Sequence, residues 1–393
     1  MAKHFSHRRS YIPIAAGGMG VAVLAAGGVV IALHAQPSAA DNRPGHGAGP
    51  ASTTTTVAPK PALQISATTP ASGAKGVDGS AALVITTSAP VDTAAGLPTI
   101  SPSIDGTWTA SGDQLQFAPN GAFAPSTTYT VTVPASLRSA ATSPLGATRT
   151  WSFTTGVGSV MRLQQLLALL GYLPLSWTPT PGQTPTAPGG GPATPAEEIF
   201  HPPTGQFTWT WASPPPTLAA TWVPGQYTVM TQGAVMAFEA DHGLTTDGIA
   251  GAQVWSALVA ATTSASPPLN QHGYSYALAQ KTTPETLTVW HNGTVVSTSG
   301  TNTGIPQSPT QDGTYPVYER LATQIMRGTN PDGSKYADPV AWVAYFHGGD
   351  AIHYIARSYY GSPQSLGCLE VSYAVGKLVW PYMTLGSLVT VTG

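Results

Sequence analysis

The sequence predicts a multidomain chain: an all-β sandwich, then a small helical module, then a second, mainly β domain. Three observations predict it. Short alternating apolar runs bounded by Gly, Pro, Asp and Ser turns fill residues 61–156. Apolar residues at helical spacing take over in residues 157–262. Residues 274–393 return to strand patterns. The length agrees, since 393 residues at roughly 100–200 per domain make about two to four domains.

Composition narrows the function. Charged residues are 8% of the chain, against about 25% in ordinary soluble proteins, so Ser, Thr, Gly, Pro and Gln must cover the surface. A net charge of -2 supplies no basic field for nucleic acid. With 42% hydrophobic residues the chain lacks the signature of global disorder. The single cysteine, Cys368, excludes an intrachain disulfide and a thiolate-rich metal centre.

At the amino terminus, Lys3, Arg8 and Arg9 precede an uncharged run over residues 12–33. The run reaches the roughly 20 residues that a helix needs to cross a bilayer core. The flanking cations place the amino terminus (1–11) in the cytoplasm and the rest outside. A retained membrane anchor is therefore expected. The rival is a cleaved signal peptide, for which Ser38-Ala39-Ala40 supplies a small-residue cleavage site. A buried core helix is the third reading. Residues 34–60 are Pro-, Ala- and Thr-rich without apolar periodicity, which predicts a disordered linker that gives reach.

Residues 61–156 alternate as strands do in ALVITTSAPV, QLQFAP, TYTVTVP and TRTWSFTT. Through ATTPASGAKGV and FAPNGAFAPSTTYTVTV the segment resembles bacterial immunoglobulin-like domains, and the resemblance implies a spacer.

In residues 157–262, Val160, Leu163, Leu166, Leu167 and Leu170 predict a first helix that Gly171 ends. Two more helices flank a turn at Thr246-Asp247-Gly248. LQQLLALLGY, GAVMAFEADHGL and DGIAGAQVWSAL resemble a small peptidoglycan-binding module, interrupted by an insertion at about 174–225. Trp209, Trp211 and Trp222 either pack the insertion onto the helices or offer aromatic faces to glycan. A second linker spans residues 263–273.

In residues 274–393, TLTVWHNGTVVSTSG predicts a hairpin turning at Asn292-Gly293. WVAYFHGGDAIHYIA predicts a strand pair around Gly348-Gly349, SYAVGKLVWPYM a short helix and LGSLVTVTG a closing strand. Cys368 sits in Ser365-Leu366-Gly367-Cys368, with His353 upstream on a predicted strand. A thiol becomes a nucleophile when an imidazole takes its proton. From spacing alone the alternative stands: a small buried thiol and a histidine satisfied in the core.

The same residues resemble the L,D-transpeptidase catalytic domain. The landmarks run in order: LTVWHNGTVV; Thr303-Gly304 followed by Pro309-Thr310 and Asp312-Gly313-Thr314-Tyr315; GGDAIHY; and SLGCL. The resemblance implies Cys368 as nucleophile and His353 as its base. It implies that the Tyr354 carbonyl orients the imidazole, that the Gly367 and Cys368 amides hold the oxyanion, and that Ser365 shapes the loop. His347 is the competing imidazole. No cofactor or metal is implied. The reaction implied is acyl transfer between peptidoglycan stem peptides through a thioester, giving 3→3 crosslinks in the cell envelope, with acylation by carbapenems expected. Two positions depart from the family pattern. Leu366 stands where histidine is usual, and Glu370 where arginine or asparagine is usual. An acid at 370 is expected to repel a stem carboxylate and to favour an amine, with Arg357 or Arg327 as replacement cations. Hydrolysis of the thioester, as in an L,D-carboxypeptidase, and a non-catalytic wall-binding protein are the alternatives.

Overall fold

The computed structural model describes residues 59–187 and 190–393. The segment 12–33 and nearly all of the linker 34–60 lie outside the described residues, so the anchor and signal-peptide readings lie outside them too. Among the described residues no helix is long and apolar enough to cross a membrane.

The first domain has strands β1 (Ile65–Thr69), β2 (Leu83–Thr87), β3 (Thr99–Ser101), β4 (Gly106–Ser111), β5 (Gln114–Pro119), β6 (Thr128–Val133) and β7 (Arg149–Thr154). They form two sheets, ordered β1-β2-β5-β4 and β3-β6-β7. Leu83 and Ile85, Leu115 and Phe117, Val131 and Val133, and Trp151 and Phe153 turn inward at period two and bury one core. Phe123 packs edge-on against Phe153, with ring centroids 5.4 Å apart.

The helical module begins with α1 (Val160–Leu169). The Ser159 hydroxyl caps it by accepting the Arg162 amide, and Gly171 leaves it in the left-handed region at φ 79°. A hairpin of β8 (Leu175–Pro179) and β9 (Gly205–Trp209) builds part of the insertion, and the short α2 (Pro216–Ala219) follows. Helices α3 (Val229–Asp241) and α4 (Ala252–Thr263) complete the module. Leu163, Leu167, Phe238, Trp255 and Leu258 form its core. Trp211 is buried in that core, and Trp209 and Trp222 pack against it half-buried, so all three tryptophans hold the insertion to the helices.

The last domain has β10 (Ser275–Gln280), β11 (Thr286–His291), β12 (Thr294–Gly300), β13 (Gly313–Pro316), β14 (Glu319–Thr329), β15 (Lys335–His347), β16 (Asp350–Tyr354), β17 (Leu369–Val371), helix α5 (Tyr373–Val379) and β18 (Leu388–Thr392). Its sheets run β12-β11-β10-β18-β13 and β14-β15-β16-β17. Leu287, Val289, Val389 and Val391 of the first meet Phe346, Ile352, Leu369 and Val371 of the second. Asn292 and Gly293 both have positive φ, 48° and 81°, which is the type I′ turn that matches strand twist. The module does not end at its own boundary: Tyr274, Tyr276 and Leu388 are buried in the same core as its helices.

Candidate active site

Strands β16 and β17 run parallel with Ile352 opposite Leu369 and His353 opposite Glu370. Side chains alternate along a strand. Ile352 and Leu369 turn into the domain core, so His353 and Glu370 share the other face. Cys368 immediately precedes β17 and packs beside Ala351 on that face. Cys368 and His353 are thus diagonal neighbours on adjacent strands and face the same side of the sheet.

The loop before the thiol is laced in place. The buried Ser365 hydroxyl donates to the Cys368 carbonyl at 2.6 Å and accepts the Gly367 amide at 3.1 Å. The Ser365 amide donates to Thr303 O, Ile305 N donates to Ser365 O, and Ser308 Oγ donates to Leu366 O. Thr303 is itself held through its amide and hydroxyl by the buried Glu285 carboxylate, both at 2.7 Å. Gly367 has φ 120°, and a Cβ there would overlap Asp350 Oδ1. Only glycine fits both constraints. The Gly367 amide, expected as an oxyanion donor, is engaged by Ser365 instead, because the tight turn folds that hydroxyl back onto it.

His353 is 2% exposed, and its Nδ1 lies 3.2 Å from the Tyr354 carbonyl. A ring nitrogen facing a carbonyl carries the hydrogen, which leaves Nε2 as the free lone pair. Burial holds the imidazole below its ordinary pKa; the Tyr354 carbonyl, Glu370 and Asp338 oppose that, and Arg357 reinforces it. The half-buried Cys368 thiol is pushed up to about 12, chiefly by burial and further by Asp350 and Glu370, against the Ala351 amide. At neutral pH it rests as a thiol.

Glu370 does not face substrate as a free acid. It is 3% exposed and accepts from Arg357 Nε at 2.8 Å and Nη2 at 2.5 Å. Asn302 Nδ2 adds a third bond at 3.3 Å. The expected repulsion is therefore corrected: Arg357 neutralises the carboxylate, and the same pairing removes Arg357 as a free replacement cation. Arg327 is exposed on β14, next to Met326, which packs against the same buried cluster as Cys368, so alternation turns Arg327 away. His347 Nδ1 lies 3.6 Å from Asp350 Oδ2. It serves the Gly348-Gly349 turn, whose Gly349 carbonyl lies 3.7 Å from Cys368 Sγ.

Sequence reasoning missed the tyrosines. Burial chiefly raises Tyr318, Tyr336 and Tyr345, with Cys368 a further cause in each. Tyr345 packs against the same small cluster as Cys368, and the Tyr318 hydroxyl donates to the Gly348 carbonyl. Tyr336 lies on the long β14–β15 hairpin, far from Cys368 in sequence, and no local pattern signals the approach. Among the described residues no group of three or more His, Cys, Asp or Glu side chains is placed to hold a metal ion.

Residues 275–391 match the profile of the L,D-transpeptidase catalytic domain. Residues 59–155 match a bacterial Ig-like domain and residues 213–258 a peptidoglycan binding domain. The chain therefore carries these three domains in the order β sandwich, helical module, catalytic domain. The peptidoglycan-binding match begins inside the expected insertion and omits α1. No curated protein matches the chain. Similar solved structures include an L,D-transpeptidase from Mycobacterium smegmatis, 13% identical over 84% of this chain and 99% of that one, with a TM-score of 0.29. L,D-transpeptidase 3 from Mycobacterium tuberculosis is 13% identical over 84% and 98%, with a TM-score of 0.29. The catalytic domain of the E. faecium L,D-transpeptidase is 24% identical over 30% of this chain and 96% of that one, with a TM-score of 0.28.

Proposed function

We propose that the chain is an L,D-transpeptidase of the cell envelope that acts on peptidoglycan stem peptides, with Cys368 as nucleophile and His353 as base. One observation carries the reading: thiol and imidazole share one face of two paired strands, with the imidazole locked by Tyr354 so that Nε2 is the basic nitrogen.

The high thiol pKa and the low imidazole pKa set the order of events. No thiolate–imidazolium pair stands ready at rest. The thiol proton moves to Nε2 as sulfur attacks the carbonyl of the third stem residue, which is general-base catalysis. Negative charge then develops on the carbonyl oxygen. With the Gly367 amide held by Ser365, the Cys368 amide is the motif's remaining oxyanion donor. The imidazolium returns its proton to the departing D-alanine amine, leaving a thioester on Cys368. An amine of a second stem attacks the thioester, His353 takes its proton, and the thiol is released. The product is a 3→3 crosslink.

Related enzymes have been solved in complex with imipenem and acylated by ertapenem. Acylation of Cys368 by carbapenems belongs to the same proposal. The test is mass analysis of products after incubation with a disaccharide tetrapeptide. A crosslinked dimer with loss of D-alanine supports transfer. Tripeptide alone makes the protein a carboxypeptidase, and unchanged substrate overturns the enzymatic reading.

A further inference from the structure

Glu370 is buried beside the imidazole, and the partly exposed Arg357 reaches in to it from the surface. Glu370 is opposite His353 in the parallel ladder. Its main chain is fixed on both sides: Glu370 N donates to Asn302 O, and Asn302 N donates to Glu370 O, each at 3.0 Å. Its carboxylate takes the bidentate fork of Arg357 and the Asn302 amide. Asn302 is fully buried, and its Oδ1 accepts the Gly361 amide at 2.9 Å, tying down the loop that carries Arg357. A bidentate guanidinium–carboxylate pair fixes geometry as well as charge.

We propose that Arg357 and Glu370 act together as a positioning pair that keeps His353 neutral and therefore able to accept the thiol proton. The inference rests on the reading of His353 as base. A lone carboxylate beside a buried imidazole draws a proton onto it, and an imidazolium accepts no second one. A lone guanidinium makes the imidazole too weak a base. Paired, the two charges cancel at His353, and the pair presents hydrogen bonds without a net field. The other groups around the ring are the Tyr354 carbonyl and Asp338 from β15, with Cys368 one position before Leu369, the partner of Ile352. Among the described residues Asp338, on the β14–β15 hairpin, is the further charge that bears on the ring.

The test is the pH dependence of Cys368 acylation by imipenem in the full chain, followed by intact mass. The acid limb of that profile reports proton uptake by His353. In R357Q the unbalanced Glu370 moves the limb to higher pH by about one unit, and in E370Q the unbalanced Arg357 moves it lower by about as much. The double variant R357Q/E370Q returns to the wild-type midpoint. Opposite displacements are not what a merely structural role produces. Coincident midpoints, or displacement of both singles in one direction, overturn the inference. If a single variant does not fold, the double variant leaves no unpaired buried charge and decides the matter: a wild-type midpoint supports the inference, and one displaced by about a unit or more overturns it. H353A separates the two layers. Wild-type rate and profile in H353A overturn the base reading itself, whereas a slow H353A with unmoved pair variants overturns the pair alone.

Discussion

Gly233 of α3 and Gly386, just before β18, meet backbone to backbone: a Cβ on either would overlap the other's carbonyl oxygen. Around this contact Trp211 lies on the Gly293 turn, and the Tyr276 hydroxyl donates to Thr217 Oγ1 at 2.7 Å. Tyr274, Tyr276 and Leu388 bury into the module's core. An apolar core shared by two domains couples their stability.

G233A therefore destabilises both parts at once. The added methyl forces α3 from β18, a cost of about 1–3 kcal/mol typical of overpacking. Urea unfolding followed by tryptophan fluorescence, with imipenem acylation as a second probe, is expected to show both signals lost in one transition at lower denaturant. Two separate transitions in the wild type contradict the shared core.

S365A removes the acceptor of the Gly367 amide and a donor to the Cys368 carbonyl. A buried polar group left without a partner costs about 1–3 kcal/mol. The loop loosens at the thiol while the sheets remain intact. Acylation by imipenem is expected to slow roughly tenfold or more, on the scale of RT ln 10, with the circular dichroism spectrum unchanged. A rate equal to that of the wild type removes Ser365 from the account.

Glu239 carries a separate pH dependence in the helical module. It is fully buried; Oε2 accepts the Gly248 amide at 2.8 Å, and among the described residues Oε1 has no hydrogen-bond partner. Burial, more than Asp247, pushes its pKa up from 4.5 to about 7. A raised folded-state pKa means that the contribution to stability is fully present below 4.5 and is lost as pH rises through 7. E239Q keeps an acceptor for Gly248 and abolishes the charge. At pH 8 it is expected to stabilise the chain by about 3 kcal/mol, read as a higher Tm, with the difference vanishing near pH 4. An equal change at both pH values contradicts the assignment.

Local signals made much of this legible. Asn292-Gly293 announced its hairpin because two consecutive positive-φ residues have few alternatives. The helix starting after Ser159 and ending at Gly171 was written in its apolar spacing and caps. What stayed hidden depends on contacts distant in sequence. The hairpin of β8 and β9 joins Leu175 to Trp209 across a long Pro- and Thr-rich connection that masks the strand alternation. Apolar periodicity showed that α3 had a buried face, not that Tyr276 and Leu388 would help to cover it. Glu370 reads in the sequence as a departure from the family pattern that would repel a stem carboxylate, since nothing in its neighbourhood marks Arg357 as its partner. Tyr336 and Tyr345 lie on the long β14–β15 hairpin and Tyr318 just before it, all distant from Cys368 in sequence. Trp342, at φ 54° in a bulge between Ala341 and Ala344, marks where that hairpin changes the facing of its side chains.

The most direct measurement of the central claim is intact mass of the full chain after brief exposure to imipenem, for wild type, C368A and H353A. The account predicts one adduct in the wild type, mapped to Cys368, none in C368A, and formation slowed by roughly a hundredfold or more in H353A, as loss of a general base requires. An adduct on another residue, no adduct in the wild type, or H353A reacting as fast as the wild type contradicts it.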